Sequence, residues 1–182
     1  MNTFTSWHVG VSAEAFVAAQ FARYGYDVSV QYGADQPEYD LIVSSRENKE
    51  LMLKISVKGS KDGGWGLTQK YKKGSTYHEA TRKWLDNHSV KTIFCLVQFK
   101  NVAQNEMPRM YLATPKEKAD RLDNSANGHG ETILYENHTW GSRARGVGTV
   151  DKIPDEWTFT FERAKELFEK YGNPELLIYK KR

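Results

Sequence analysis

The chain has 182 residues, 39% of them hydrophobic, 27% charged and 13% aromatic, which is the make-up of an ordinary folded protein and excludes a disordered chain. No apolar run reaches the roughly eighteen residues that cross a bilayer, and Met1-Asn2-Thr3-Phe4-Thr5-Ser6 lacks the basic-then-apolar order of a secretory leader, so a cytoplasmic location without membrane contact is expected. The formal charge is only +3, but Lys54, Lys58, Lys61, Lys70, Lys72, Lys73, Arg82 and Lys83 face just Asp62 and Glu79 within residues 54–83, making that stretch +6. Such a run either pairs with phosphates, releasing counterions as nucleic-acid binders do, or forms a solvated face.

A single domain over 1–182 is expected, with a core over about 8–114 and a C-terminal elaboration over 115–182. In chain order, Val17, Phe21 and Tyr24 recur at helical spacing and Gly25 stops the run, predicting a helix over 12–24. Tyr26, Val28, Val30 and Tyr32 alternate with polar residues, as in a half-buried strand that Gly33 ends. Residues 39–44 and 51–58 read as two strands of a hairpin joined by the polar stretch 45–50. After the glycine- and lysine-rich 59–75, Tyr77, Ala80, Thr81, Trp84 and Leu85 mark a second helix.

Residues 92–99 are apolar without alternation, predicting a strand covered on both faces, and 110–113 a shorter neighbour. Cys95, alone in its type, lies in that run and reads as core. Thr114-Pro115-Lys116-Glu117 carries a capping threonine, a first-turn proline and a glutamate three residues on, opening a third helix. A polar linker over 123–130, a strand over 132–135 and a long loop over 137–152 follow, and Phe161, Ala164, Phe168 and Tyr171 draw a last helix.

Three polar residues stand out. Glu14 precedes Val17, Ala18 and Phe21 on the inward helix face, where a carboxylate needs compensation, either from chemistry nearby or from the positive end of the helix. Asp40 opens one hairpin strand and Lys58 closes the other; with the turn centred near 47–48, Asp40 lies across from Ile55 or, with a bulge, Ser56. Alternation puts Lys54, Ser56 and Lys58 on one face and Leu51, Leu53, Ile55 and Val57 on the other.

A helix glutamate, an aspartate opening a strand and a lysine ending the next resemble the PD-(D/E)XK nuclease superfamily, on Gly10-Val11-Ser12-Ala13-Glu14, Tyr39-Asp40-Leu41-Ile42-Val43 and Ile55-Ser56-Val57-Lys58-Gly59-Ser60. The likeness spans about residues 8–114 and is greatest to the Holliday-junction-resolvase-like and restriction-endonuclease-like members. It implies a central mixed β-sheet flanked by helices, a restriction-endonuclease-like core, and hydrolysis of DNA phosphodiester bonds with Mg²⁺ or Mn²⁺. Carried over, Glu14 and Asp40 are metal ligands, the Val57 carbonyl is a further ligand, and Lys58 is the catalytic base or charge stabiliser. Ser56 stands where the superfamily carries an acid, so either a water or Glu38 completes the site, or the fold binds nucleic acid or a protein without cutting.

Around this cluster, Lys54, Lys61, Lys70, Lys72 and Lys73 are candidate DNA contacts. Gly59-Ser60-Lys61-Asp62-Gly63-Gly64-Trp65-Gly66 offers backbone amides and a stacking tryptophan to nucleic acid, or is a connector whose Trp65 packs on the domain. Arg143 and Arg145 are a phosphate clamp or a solvated loop. His78, His88, His129 and His138 have no paired metal-ligand spacing. A homodimer is compatible with the resemblance, and an interaction module without nucleic-acid contact is the remaining alternative.

Overall fold

The structure is a computed structural model that describes residues 4–31 and 38–172. The strand expectation at Tyr32 and its end at Gly33 lie outside the described residues. Helix α1 (Ser6–Arg23) is followed by strands β1 (Asp27–Val30), β2 (Leu41–Ser44), β3 (Met52–Ser60) and β4 (Gly64–Gly66), then helix α2 (Tyr77–Asp86). Strands β5 (Thr92–Gln98) and β6 (Arg109–Ala113) lead to α3 (Pro115–Asp123) and the short α4 (Ser125–Gly128), and the chain closes with β7 (Ile133–Tyr135), β8 (Asn137–Thr139), β9 (Val150–Lys152) and α5 (Phe161–Tyr171). The architecture is α/β: a five-stranded sheet of order β1-β2-β3-β5-β6 with helices on both faces. The sheet is mixed, because β3 and β5 run parallel while the other neighbours are antiparallel. No helix among the described residues is long and apolar enough to cross a membrane.

The sheet's two faces have different covers. Inward residues of β2, β3 and β5 (Leu41, Val43, Leu53, Ile55, Val57, Ile93, Cys95) pack with Ala13, Val17 and Phe21 of α1 and with Ala164, Leu167 and Phe168 of α5. The opposite face carries Phe94 against Trp84 of α2 and Ala119 of α3, and Leu96 against Trp65, Leu122 and Leu134. Every residue of β5 is buried, as its unbroken apolar run requires, and Cys95 is part of that core.

Several boundaries differ from expectation. Helix α1 begins six residues before Ser12, capped by Thr5, whose side chain meets the His8 amide while the His8 ring reaches back to the Thr5 amide. A histidine doing the work usually given to Glu or Gln hides this cap from a reading of sequence. The long loop over 137–152 is pinned by the β8–β9 pairing, and residues 64–66 form a strand against β7 instead of a free connector. The cap at Thr114 and Glu117 forms as expected, and α2 carries the same device in Thr76 and Glu79.

Candidate active site

The hairpin sets the geometry. Leu41 pairs with Ile55 and Ile42 with Lys54, so Asp40 stands one residue past the last pair. There the two strands part: the Asp40 amide still donates to the Ile55 carbonyl (2.8 Å), but the next inward amide of β3, that of Val57, donates to Asp40 Oδ2 at 2.6 Å. The aspartate side chain thus replaces a missing ladder bond and is held by a charge-assisted one. Because N–H and C=O of one residue in an antiparallel ladder point the same way, the Val57 carbonyl is directed to the same opening.

Glu14 reaches this opening because α1 lies unusually close to β3. A Cβ on Gly59 would fall 2.8 Å from Val9 Cγ1, 2.9 Å from the Val9 carbonyl and 3.0 Å from Ala13 Cβ, so only glycine permits the contact. Glu14, next to Ala13, is half-buried and mid-helix, which removes the helix-end explanation for its carboxyl. Its pKa is raised, first by burial and then by the negative charge of Asp40, and is partly offset by the cation of Lys58. Glu14, Asp40 and Lys58 therefore feel one another, although they come from a helix, a strand entry and a strand end.

Lys58 is exposed, and its backbone carbonyl accepts a 2.8 Å hydrogen bond from Trp65 Nε1. That fixes the role of Trp65: the indole is 3% exposed inside the core with Leu96 and Leu134, so it anchors the lysine's main chain and is not presented for stacking on a base. Ser56 is 1% exposed and, paired with Phe94 across the parallel ladder, sits on the face toward α2 and α3. Glu38 does not take its place; its carboxylate lies 3.5 Å from His88 Nε2. Among the described residues no group of three His, Cys, Asp or Glu side chains could hold a metal ion.

The donors present nonetheless suit a hard cation of low protein-ligand count. Mg²⁺ is commonly held by one or two carboxylates with waters and substrate phosphates completing its shell. Glu14, Asp40 Oδ1 and the Val57 carbonyl would be the donors of such a set, and Ser56 would add no charge to it.

The basic residues divide into separate groups. Lys58 and Lys61 line one cleft of about 220 Å³, with Lys61 Nζ also donating to the Phe4 carbonyl at 2.6 Å. Lys54 lies over the Tyr39 ring on the Ser56 face, and Lys70 lies over Tyr71. Lys72 and Arg145 share a second groove of about 970 Å³ between α2, the 126–131 turn and the 140–145 loop, while Lys73 and Arg143 are exposed. The wall of that groove is built on consecutive left-handed residues, Ala126 and Asn127, and Gly146 meets the Ala126 backbone so closely that a Cβ there would lie 2.5 Å from it.

One residue near the site escaped the sequence reading. Lys118 is wholly buried on the inner stripe of α3 with Pro115, Ala119 and Leu122, and its amine lies 3.0 Å from the Phe94 ring centre and 4.6 Å from that of Trp84, without a hydrogen-bond partner. Burial, then the nearby Lys58 cation, holds its pKa well below that of an ordinary lysine, and Glu38 opposes the shift. The available signal was a lysine at the i+3 position of an otherwise apolar stripe.

No protein-family model matches the chain, and no curated protein matches its sequence. Among solved structures, the chain is similar to a bacterial homing endonuclease, I-Ssp6803I, at 14% identity and a TM-score of 0.46, over 92% of this chain and 94% of that one.

Proposed function

We propose that this chain is a metal-dependent endonuclease of the PD-(D/E)XK kind that hydrolyses phosphodiester bonds in DNA. The observation that carries the reading is the convergence of Glu14, Asp40 and Lys58 where β2 and β3 part: burial and then the Asp40 charge raise the Glu14 pKa, and the Lys58 cation opposes them. Glu14, Asp40 and the Val57 carbonyl would hold Mg²⁺ or Mn²⁺, which when bound would activate a water and neutralise charge on the phosphate. Asp40 keeps its orientation through the Val57 amide and so presents a fixed oxygen. A bound cation would remove the like-charge cost that Glu14 bears beside Asp40. Lys58, exposed at the strand end and steadied by Trp65, donates to a phosphate oxygen or takes the proton of the attacking water. Lys54, Lys61, Lys70, Lys72, Lys73, Arg143 and Arg145 would meet backbone phosphates beyond the cleavage point.

A second reading, a domain that binds nucleic acid or a protein partner without cutting, is favoured by Ser56. The buried hydroxyl leaves two carboxylates where three are usual in the superfamily the chain resembles.

Calorimetric titration of Mg²⁺ and Mn²⁺, beside plasmid nicking, separates the two. Asp40→Asn is the appropriate control because the amide oxygen can still accept from Val57, whereas alanine would orphan that donor. Saturable binding and nicking in the parent, both lost in Asp40→Asn, would support the nuclease. Salt-sensitive DNA binding without metal binding or nicking, with nicking gained in Ser56→Glu, would establish the degenerate binder; nicking retained in Asp40→Asn would refute the site.

A further inference from the structure

Of the five tryptophans, Trp65, Trp84 and Trp157 are buried, and Trp140 is held by Asp151, to which its indole N–H donates at 2.7 Å. Trp7 is different: it stands in the first turn of α1 and is 70% exposed. A single exposed apolar side chain is ordinary in a folded protein, so exposure by itself assigns nothing. The position of this one does. Ser6, its neighbour in the chain, lines the cleft of Lys58 and Lys61, and Lys61 Nζ donates to the carbonyl of Phe4, just before the helix cap. Seven residues of helix fall about 20° short of two full turns, so Trp7 and Glu14 stand on one side of α1, separated by about 10.5 Å along its axis. One helix thus aligns a carboxyl of the candidate metal site with an exposed indole, and the lysine cleft runs alongside. The indole is also held in place: Thr5 caps the helix at the His8 amide, the Phe4 ring packs edge-on against Phe99 at 5.4 Å, and the His8 ring meets the Trp7 ring edge-on at 5.1 Å. A large aromatic fixed on a rigid element offers contact area at low cost in conformational freedom.

We propose that Trp7 is a specificity-determining residue that stacks on an unpaired nucleobase of the DNA strand held by Lys58 and Lys61. The inference rests on the nuclease reading above and names its substrate class, DNA with an unpaired nucleotide close to the cleavage point. In the cleft the two lysines are opposed only by Asp62, so its charge suits a phosphate backbone. At about 3.4 Å per base step, 10.5 Å is about three steps, so a strand with its scissile phosphate at Glu14, Asp40 and Lys58 that follows α1 reaches Trp7 about three nucleotides on. Within an intact duplex every base face is covered by its neighbours, and the indole has nothing flat to lie against. An unpaired base, swung out of the helix, supplies that face. Because every base has a π-face, Trp7 selects for the absence of pairing and not for sequence.

Fluorescence anisotropy without divalent metal tests this on the full chain independently of cleavage. The probes are three labelled duplexes: one fully paired, one with a single unpaired thymidine, and one with an abasic tetrahydrofuran in its place, which keeps the phosphates and removes the base. The parent should bind the thymidine duplex about tenfold more tightly than the other two. Trp7→Ala should bind all three alike, with an unchanged circular-dichroism melt because the side chain lies at the surface, and Trp7→Phe should keep part of the preference. Equal binding of the thymidine and abasic duplexes by the parent, or a preference that survives in Trp7→Ala, overturns the proposal and leaves the nuclease reading in place. A parent that binds none of the three duplexes overturns both.

Discussion

Substitution of Lys118 by methionine replaces a buried amine by an apolar side chain of similar length. The amine touches the faces of Phe94 and Trp84 and has no hydrogen-bond partner, so the folded protein carries its desolvation cost. An unsatisfied buried polar group costs about 1–3 kcal/mol, and the ring contacts return part of that, leaving an expected gain of about 1–2 kcal/mol for Lys118→Met. In a chain of this length that raises the melting midpoint by about 2–8 °C. The pH dependence follows from the direction of the shift. The folded-state pKa lies below the roughly 10.4 of a free lysine, so between the two values the unfolded chain binds more protons and the parent's stability rises with pH. The advantage of Lys118→Met is therefore largest at low pH and shrinks as pH climbs toward that of free lysine. Urea denaturation at several pH values between 6 and about 10 measures it. A variant less stable than the parent throughout, or an advantage that grows with pH, would refute this account of the buried amine.

Trp65→Ala should cost about 3–5 kcal/mol in urea denaturation, because it empties a core position and frees the Lys58 carbonyl. Trp65→Phe, which keeps most of the volume, isolates the lost hydrogen bond at about 1 kcal/mol; a wild-type melt for Trp65→Ala would deny the indole its anchoring role. Glu14→Gln should match or exceed the parent's stability at neutral pH. A carboxyl with a raised folded pKa contributes stability below the ordinary carboxylate range and loses it as pH rises through the raised value. For the same reason Mg²⁺ affinity of the parent should fall as pH drops toward that range, while Glu14→Gln binds weakly at every pH, both measurable by calorimetry.

Much of the scaffold is carried by local pattern. Alternation over 41–58 is a property of neighbouring residues, and it placed Ser56 and Lys58 on one face and Ile55 and Val57 on the other before any partner strand was known. The unbroken apolar run at 92–98 demanded cover on both faces, and the threonine, proline and glutamate at 114–117 satisfied a helix start among themselves. The hairpin register was legible to within one residue, because a polar turn of six residues bounds it closely; Leu41 takes the place opposite Ile55, and the Asp40 amide still meets the Ile55 carbonyl.

What tertiary structure alone decided are the contacts whose two ends are far apart in the chain or chemically unsignalled. Gly59 reads locally as part of a flexible loop, yet its missing side chain is what lets α1 bring Glu14 to Asp40 and Lys58. Trp65 among its glycines leaves stacking and packing equally open in sequence until β7 closes over it. The N-terminal half of α1 lacks a polar outer stripe, so its period is not legible in sequence, although the helix starts at Ser6. Lys118 stands on the apolar stripe of α3, but only the folded chain shows that Phe94 and Trp84 enclose its amine. Periodicity and capping are short-range and survive in a linear reading, whereas close approach and burial depend on which distant segments share a volume, and only the folded chain specifies that.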